Sequence, residues 1–260
     1  MLLAIDIGNT STHFGVFDGA ELAAQFRLST NRNMSADELG IQLRQLLAFS
    51  QIAVERLDAA IVCSVVPELD YAYRLAAERY VFVPITFVTR ETLHGMPIAV
   101  KNPEEVGADR IVDAVGAIER YGGGLIIVDF GTAITLDVVS PEGAYLGGAI
   151  APGLKIALDA LFQRTAKLPR IDLVPPGHAL GTTTIDCMRS GVFYGYAGLV
   201  DGIIDAIRAE ITFPTRAVGT GGHINLVKGL SRTLEIFDKE LTLHGLRVIH
   251  ARLQETTKAG

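Results

Sequence analysis

The stretches LLAIDIGNTST (2–12) and LIIVDFGTAIT (125–135) decide the fold of this chain of 260 residues. Each begins with an apolar run that predicts a buried strand, and each continues into a turn with an aspartate and a glycine. A constant offset of 123 residues relates three pairs of positions, Asp6 with Asp129, Gly8 with Gly131 and Thr12 with Thr135. Three matches at one offset favour an internal duplication over two unrelated strand-Asp-Gly turns.

Composition and charge narrow the class of protein. Hydrophobic residues make up 49% of the chain and charged residues 20%, which is typical of a globular protein with a core. The formal net charge is −6 and the basic residues are scattered, so we expect neither nucleic acid nor an anionic membrane surface as a partner. The sequence contains no run of 18 apolar residues, so we expect no membrane-spanning helix. The start MLLAIDIGNT does not resemble a signal peptide.

Cysteine and histidine give no sign of a disulfide framework or a zinc site. Cys63 and Cys187 are far apart in sequence, and two buried thiols in a reducing cytoplasm are the expectation. Five histidines show no metal-ligand spacing, those at positions 94, 178, 223, 244 and 250. His13 ends the first motif, and we interpret it as a residue on the phosphate side or in the packing.

The order of predicted elements indicates an α/β protein with two domains. Strands and helices follow each other in both halves, and the glycine run at 122–124 ends a helix. We therefore expect an N-terminal domain over residues 1–121 and a C-terminal domain over residues 122–260. The last apolar segment, LTLHGLRVIHARL (241–253), is predicted as a final strand followed by a helix or an extended tail.

The two Asp-Gly turns suit nucleotide binding. Backbone N–H groups and hydroxyls of such a turn can reach phosphate oxygens, while the carboxylate faces a metal ion. One turn alone is weak evidence, but two from a duplicated unit can face each other across a cleft and hold one nucleotide. A third glycine-rich turn, GTGG (219–222), would let a flat ring or ribose approach the backbone, although a plain strand-to-helix turn explains it equally well on its own.

A charged pair at the start of a predicted helix is the candidate for the chemistry. Asp109 and Arg110 lie between small and apolar residues in GADR (107–110) and the segment that follows. An arbitrary Asp-Arg pair would be interpreted as exposed and solvated. A small-molecule kinase, however, needs a carboxylate near the substrate hydroxyl and a cation for an anionic substrate or the transferring phosphoryl group.

Taken in order, the motifs resemble type III pantothenate kinases, which belong to the actin-like ATPase superfamily. The resemblance runs from residue 2 to about residue 250 and rests on DIGNT (6–10), NPEEVGADR (102–110), DFGTAIT (129–135) and GGAIAPG (147–153), with Gly181, Thr184, Met188, Ser190 and Gly191. It implies two ribonuclease H-like halves related by duplication, with a nucleotide cleft between them. The implied reaction is ATP-dependent phosphorylation of pantothenate to 4′-phosphopantothenate, the first step of coenzyme A biosynthesis.

The resemblance also implies a role for each matched residue. ATP would contact Asp6, Ile7, Gly8, Asn9, Thr10, Ser11, Thr12, His13 and Thr132. Pantothenate would contact Val100, Gly107, Ala108, Asp109, Arg110 and Thr184. Asp109 would accept the hydroxyl proton, Asp6 would help to hold Mg²⁺ through the phosphates, and Asp129 would hold a monovalent cation, K⁺ or NH₄⁺. Many members have a tyrosine where this chain has Val100.

The sequence also leads to an expectation about the oligomeric state and leaves two alternative functions open. Members of the family are dimers that share residues at the substrate pocket, so we expect a cytoplasmic homodimer, with Tyr194 and Tyr196 at its interface. One alternative is a kinase for acetate, a sugar or another small metabolite, which the short chain and GADR disfavour. The other is a non-catalytic nucleotide-binding regulator, which could keep both Asp-Gly turns but would not need Asp109 and Arg110.

Overall fold

A computed structural model gives the structure of the protein and describes residues 1–92 and 95–259. In those residues the strands β1 to β10 are Leu2–Ile7, Ser11–Asp18, Glu21–Ser29, Ala59–Ser64, Ile85–Phe87, Leu125–Phe130, Ala133–Val139, Tyr145–Pro152, Arg216–Thr220 and Ile236–Phe237. The helices α1 to α6 are Ala36–Phe49, Pro67–Ala76, Ala108–Tyr121, Leu154–Arg164, Thr184–Glu210 and Leu241–Ala259. Strands and helices alternate, as expected for an α/β protein.

The strands form two five-stranded sheets with the same internal order. The first sheet has the order β3-β2-β1-β4-β5, and the second, read from its outer hairpin, has the order β8-β7-β6-β9-β10. In both sheets the first three strands pair antiparallel, and the remaining pairs are parallel. This shared topology confirms the duplicated α/β fold.

The first hairpin turns of the two sheets differ in length by one residue. Asp6 on β1 pairs with His13 on β2, whereas Asp129 on β6 pairs with Thr135 on β7. The second turn is one residue shorter, so Thr135 occupies the place of His13. The predicted equivalence of Thr12 with Thr135 is therefore wrong, because a shift of one residue points a strand side chain to the opposite face.

The chain divides into two compact units, and their boundaries differ from the single boundary after residue 121 that was expected from the sequence. Unit 1 comprises Met1–Met96, Asn102–Glu119 and Leu241–Gly260, and unit 2 comprises Pro97–Lys101 and Arg120–Glu240. The segment predicted as a final strand and tail is the helix α6, which packs on β1, β2 and β4 of unit 1. Residues 97–101 belong to unit 2 because Tyr145 on β8 donates its N–H to the Pro97 carbonyl and accepts one from Ala99, both at 2.8 Å.

The core of unit 1 lies on one face of its sheet. Alternation along β1 directs Leu3, Ile5 and Ile7 into a cluster with residues of α1 and α2. Ala4 and Asp6 therefore point to the other face, where α6 packs. On that face α6 passes very close to α3, since a Cβ atom at Gly245 would lie 2.1 Å from the carbonyl oxygen of Val112.

Candidate active site

Asp6 is half-buried at the end of the central strand of unit 1. It pairs in register with His13 on β2 and with the buried Cys63 on β4. Burial, and next the negative charge of Asp109, raise the pKa of Asp6 to about 7, while Arg27 lowers it. Two carboxylates whose repulsion is only partly offset by one cation are typical of a functional site that accepts further positive charge.

Asp109 owes its position to the start of α3. The helix begins at Ala108, so Asp109 lies in the first turn, where an acid interacts well with the helix dipole. Its Oδ1 accepts a hydrogen bond from the backbone N–H of Arg110 at 2.9 Å. A Cβ atom at Gly107 would lie 2.4 Å from that same oxygen. Glycine is thus required before the helix for the carboxylate of Asp109 to occupy this place.

The first Asp-Gly turn is closed by an internal hydrogen bond and is hydrogen-bonded to Thr30, directly after β3. Gly8 donates its N–H to the Ser11 carbonyl at 3.2 Å, and Thr30 donates its N–H to the Thr10 carbonyl at 3.0 Å. The Thr30 hydroxyl also donates to the Gly8 carbonyl at 2.6 Å. Asn9 and Thr10 are exposed at the tip. Such a turn presents polar groups outwards on a rigid support, which suits phosphate recognition.

Three side chains predicted to contact ATP are buried and contact other residues of unit 1 instead. Ile7 is fully buried. Thr12 is 1% exposed, and its Oγ1 lies 3.1 Å from that of Thr30. His13 is buried, and its Nε2 lies 3.2 Å from Oε1 of Gln25. Any contact of Ile7 or Thr12 with a nucleotide would have to use the backbone.

Asn9 has a partner that the sequence did not reveal. Arg32 donates from Nη2 to Asn9 Oδ1 at 2.8 Å, and its Nη1 lies 3.4 Å from Glu68 Oε1. The guanidinium of Arg32 is therefore close to the turn predicted to bind phosphate. The sequence did not indicate Arg27 as a site residue either. The sheet places it there, because Arg27 on β3 is opposite His13 on β2. Pairing of β3 with β2 brings Arg27 to the site, and Arg32 follows in the loop after β3. No local sequence pattern encodes either contact.

In unit 2, the carboxylate of Asp129 lies between two glycines. A Cβ atom at Gly221 would lie 2.1 Å from Asp129 Oδ1, and one at Gly131 would lie 3.0 Å from Oδ2. Gly221 also has a φ of +90°, which disfavours other residues. The third glycine-rich turn, predicted to contact adenosine, thus also makes room for this carboxylate. A side chain at either glycine position would crowd the carboxylate of Asp129.

The remaining predicted residues are divided between the two units. Gly107, Ala108 and Arg110 are half-buried in unit 1, at the start of α3. Thr132 is exposed in the second Asp-Gly turn, and Thr184 is exposed at the first position of α5; both belong to unit 2. Val100 is half-buried on the segment that pairs with β8, and its Cγ1 would lie 3.6 Å from a Cβ at Gly147.

No preformed metal cluster is present in residues 1–92 and 95–259. No three or more His, Cys, Asp or Glu side chains there are arranged to hold a metal ion, and His94 lies outside the described residues. A Mg²⁺ ion that takes one or two carboxylates and otherwise phosphate and water needs no such cluster. None of the described helices combines the length and the apolar character required to cross a membrane.

The sequence did not indicate the buried carboxylate and the buried thiol that lie near Asp6, and Cys187, expected to be buried, is exposed. Asp113 on α3 is 3% exposed, and its Oδ1 accepts a hydrogen bond from the Thr242 hydroxyl of α6 at 2.6 Å. Burial, and then the nearby acids Asp6, Asp109 and Asp113, raise the pKa of Cys63 well above its usual value. This thiol is therefore neutral and is not a nucleophile.

Comparisons with known proteins agree with the motifs. The family model described as type III pantothenate kinase matches residues 2–206. The type III pantothenate kinase of Myxococcus xanthus (strain DK1622) is 47% identical over 252 residues, which covers 97% of this chain and 98% of that protein. That of Koribacter versatilis (strain Ellin345) is 44% identical over 268 aligned positions, which covers 99% of this chain and 98% of the relative.

Solved structures share the fold at lower identity. A protein assigned to the Baf family of transcriptional activators from Campylobacter jejuni has a TM-score of 0.61 at 20% identity, covering 97% of this chain and 99% of its own. The activator of the 2-hydroxyisocaproyl-CoA dehydratase from Clostridium difficile, with bound ADPNP, has a TM-score of 0.58 at 11% identity, covering 100% and 97%. At these identities the likeness concerns the fold alone.

Proposed function

The chain belongs to the type III pantothenate kinase family, and on that premise we propose how its residues perform the reaction. The protein transfers the γ-phosphoryl group of ATP to pantothenate, with a divalent metal ion, in coenzyme A biosynthesis. The observation that carries the proposed mechanism is the approach of Asp6 and Asp109 in unit 1, where the charge of one raises the pKa of the other.

Asp109 is the proton acceptor in this proposal. The primary hydroxyl oxygen of pantothenate attacks the γ-phosphorus, a new O–P bond forms, and the bond from the γ-phosphorus to the β–γ bridging oxygen breaks. The hydroxyl proton passes to a carboxylate oxygen of Asp109, and the electron pair of the broken bond stays on ADP. The hydrogen bond from the Arg110 N–H holds one oxygen of Asp109 in place and leaves the other to face the substrate.

Asp6 is the acid of unit 1 that we assign to Mg²⁺ bound through the phosphates. When bound, the ion neutralises charge that develops on the phosphate oxygens. The raised pKa of Asp6 supports this role, because a carboxylate that is costly to ionise beside Asp109 is stabilised when positive charge arrives. The two acids then have distinct tasks, one towards the phosphates and one towards the hydroxyl.

Phosphate binding is assigned to the first turn, with one residue of unit 2. The exposed Asn9 and Thr10 present backbone and side-chain donors, and Ser11 is half-buried beside them. Gly8 closes the turn, while Ile7, Thr12 and His13 support it from the interior. Thr132, exposed in the equivalent turn of unit 2, is the other residue that we assign to ATP.

Asp129 is proposed as the ligand of a monovalent cation, K⁺ or NH₄⁺. The glycines at 131 and 221 leave its carboxylate without side-chain cover on two sides. An ionised carboxylate at the end of a buried strand is stabilised by a bound cation. A large, weakly hydrated cation suits such a site, and Na⁺ would serve it poorly.

Pantothenate binding is assigned to Gly107, Ala108, Asp109, Arg110, Thr184 and Val100. Arg110 supplies a cation for the substrate carboxylate or the transferring phosphoryl group, with Gly107 and Ala108 beside it. Thr184 supplies a hydroxyl, and Val100 an apolar contact. Val100 offers no hydroxyl at the position where relatives often have tyrosine, so this part of the pocket is expected to be less polar.

A homodimer in the cytoplasm is the last part of the proposal. Unit 2 exposes a series of large apolar side chains, Leu146, Ile150, Ile156, Leu161, Val174, Leu180, Ile185 and Tyr194. Exposed apolar side chains are a common feature of surfaces that pack against a second chain. Tyr196, in contrast, donates its hydroxyl to the Pro152 carbonyl at 3.0 Å. A reducing compartment suits the two cysteines, which form no disulfide.

The experiment that tests the function is a coupled assay of ADP release. ADP release should require pantothenate and should not be supported by acetate, glucose or glycerol. Parallel reactions in K⁺, NH₄⁺ and Na⁺ salts test the cation site. Hydrolysis of ATP that is equally fast without pantothenate would refute the assignment of the acceptor, and equal rates in the three salts would count against Asp129 as a cation ligand.

A further inference from the structure

A cavity of about 240 Å³ lies in unit 1 at the end of the sheet opposite to Asp6. Leu2 and Phe17 line it, and both are buried. Leu2 begins β1 while Asp6 is near its end, so four residues of extended strand, about 13 Å, separate the two places. The cavity is therefore distinct from the proposed catalytic site.

Arg247 of α6 lines this cavity. Its Nε is buried and has no hydrogen-bond partner in the described part of the chain. An arginine offers five N–H donors in a fixed plane, and a buried donor of a charged group without an acceptor is costly. Such a group indicates that an acceptor from outside the chain completes the site.

Neighbouring acids do not supply that acceptor. Asp58 also lines the cavity, but its Oδ2 lies 2.5 Å from the Met1 nitrogen and its side chain is 84% exposed. Asp18, at the end of β2, is 3.0 Å from Arg56. His250, one turn after Arg247, is half-buried, and burial lowers its pKa, so it is neutral near pH 7 and adds a further polar group without adding negative charge.

We propose that this cavity binds a small molecule that carries a carboxylate or a phosphate on a compact apolar body, with the anionic group on Arg247. The planar guanidinium fits either anion through two parallel hydrogen bonds. Leu2 and Phe17 supply the apolar wall. The volume is below the usual range for drug-sized ligands, which selects a body no larger than a single ring or a short branched chain.

The binding test uses the whole protein and three probes. Benzoate carries the anion on an apolar ring, benzyl alcohol has the same ring without the charge, and inorganic phosphate has the charge without the ring. In titrations followed by ligand-observed NMR, we expect benzoate or phosphate to bind with a Kd in the millimolar range or tighter, and benzyl alcohol at least about tenfold more weakly. Comparison of benzoate with phosphate shows which anion the site prefers.

Variants of α6 locate the binding. Arg247→Met keeps the apolar stem and should weaken anion binding at least about tenfold, whereas Arg247→Lys should retain part of it. Arg252→Met removes the same kind of charge from the same helix at a position that does not line the cavity, and it should leave binding unchanged. Arg110→Met removes the cation that we assign to the substrate in the active site, and it should also bind the probes normally, which separates this cavity from the proposed active site.

Two results would overturn the proposal. One is the absence of binding of both anions at tens of millimolar. The other is equal binding by the wild type and by Arg247→Met, provided that circular dichroism shows both to be folded. If Arg247→Met does not fold, the comparison of benzoate with benzyl alcohol in the wild type and in Arg247→Lys still decides whether the charge at this position matters.

Discussion

Units 1 and 2 use the same strand order and place an aspartate at the same point, yet the two aspartates have opposite surroundings. Asp6 is near a second acid, Asp109, which helps to raise its pKa to about 7. Asp129 lies against Gly131 and Gly221, where a side chain would crowd its oxygens. The duplicated strand order places a carboxylate at the same point of each sheet. The residues packed around each carboxylate, which differ between the units, determine its pKa and the group that it can bind.

The largest expected effect concerns the acid that only unit 1 possesses. Asp109→Asn keeps the shape of the side chain but cannot accept the hydroxyl proton, so kcat should fall by about 10²–10⁴-fold. The KM for ATP should barely change, because phosphate binding is assigned to the Asp-Gly turns. Steady-state kinetics with varied ATP and pantothenate measure both.

Glu105→Gln is the control for this substitution. Glu105 is exposed about one turn earlier, and its carboxylate accepts a hydrogen bond from Asn102 at 2.8 Å. Its loss should leave kcat close to that of the wild type. A kcat for Asp109→Asn within a few-fold of the wild type would mean that this residue orients the substrate and that the loose transition state needs no protein base.

The second prediction tests the glycines that distinguish unit 2. In Gly221→Ala, the new Cβ would lie 2.1 Å from Asp129 Oδ1 and 2.6 Å from the backbone nitrogen of Phe130. The carboxylate must therefore move by about 1 Å or more, and the backbone beside it must shift as well. A displacement of this size at a positioned group can reduce the rate by about 10²-fold. The stimulation of the rate by K⁺ should disappear as well, as it should in Asp129→Ala.

Gly229→Ala provides a matched control for Gly221→Ala. Both glycines have a positive φ, +90° at Gly221 and +83° at Gly229, so both variants carry a similar backbone strain. At Gly229, however, a Cβ atom would meet nothing within 4 Å. Gly229→Ala should therefore lose some stability but keep its response to K⁺. An equal loss of K⁺ response in both variants would contradict the role of the space around Asp129.

The third prediction concerns stability and pH in the absence of ATP and metal. The pKa of Asp6 is about 7 in the folded protein and near its ordinary value of 3.8 in the unfolded chain. Between these values the folded state binds more protons, so the free energy of unfolding should fall as pH rises from about 4 to 7. Asp6→Asn removes this cost and should be more stable than the wild type at pH 8, by on the order of 1–3 kcal/mol.

Denaturant unfolding at several pH values measures this difference. The difference in unfolding free energy between Asp6→Asn and the wild type should decrease towards pH 5, since the wild-type carboxyl is then protonated. Asp109→Asn should show a smaller version of the same gain, because it removes only the second cause of the raised pKa. A difference between Asp6→Asn and the wild type that does not vary with pH would show that Asp6 is not the titrating group.

The smallest effect is expected from the apolar surface of unit 2. Light scattering should give about twice 27.9 kDa for the wild type. Ile150→Lys introduces a charge at a residue that is 66% exposed and should shift the mass towards one chain. Phe49→Lys, at an 87% exposed position of unit 1, is the control and should leave the dimer intact. A wild type that is monomeric and fully active would refute an active site shared between subunits.

Local pattern sufficed for the elements that carry the motifs. Alternation and apolar runs predict β1 and β6, and Asp6 and Asp129 fall at equivalent positions near their ends, as the sequence indicated. The sequence also predicts the helix that carries Asp109, but with its start at Asn102-Pro103, whereas α3 begins at Ala108. These features depend on neighbours in the chain, because strand periodicity and helix starts are set by residues a few positions apart.

Only the tertiary structure revealed the features that depend on contacts between residues distant in sequence. The sequence suggested a strand in residues 241–253, but this segment is helix α6, whose glycine at 245 packs against α3. It also suggested Thr12 and Thr135 as equivalents, but a turn shorter by one residue changes the register. The pKa of Asp6, the closeness of Gly221 to Asp129 and the burial of Arg247 Nε likewise depend on residues distant in sequence. Burial and charge act through space, so only the folded chain determines them.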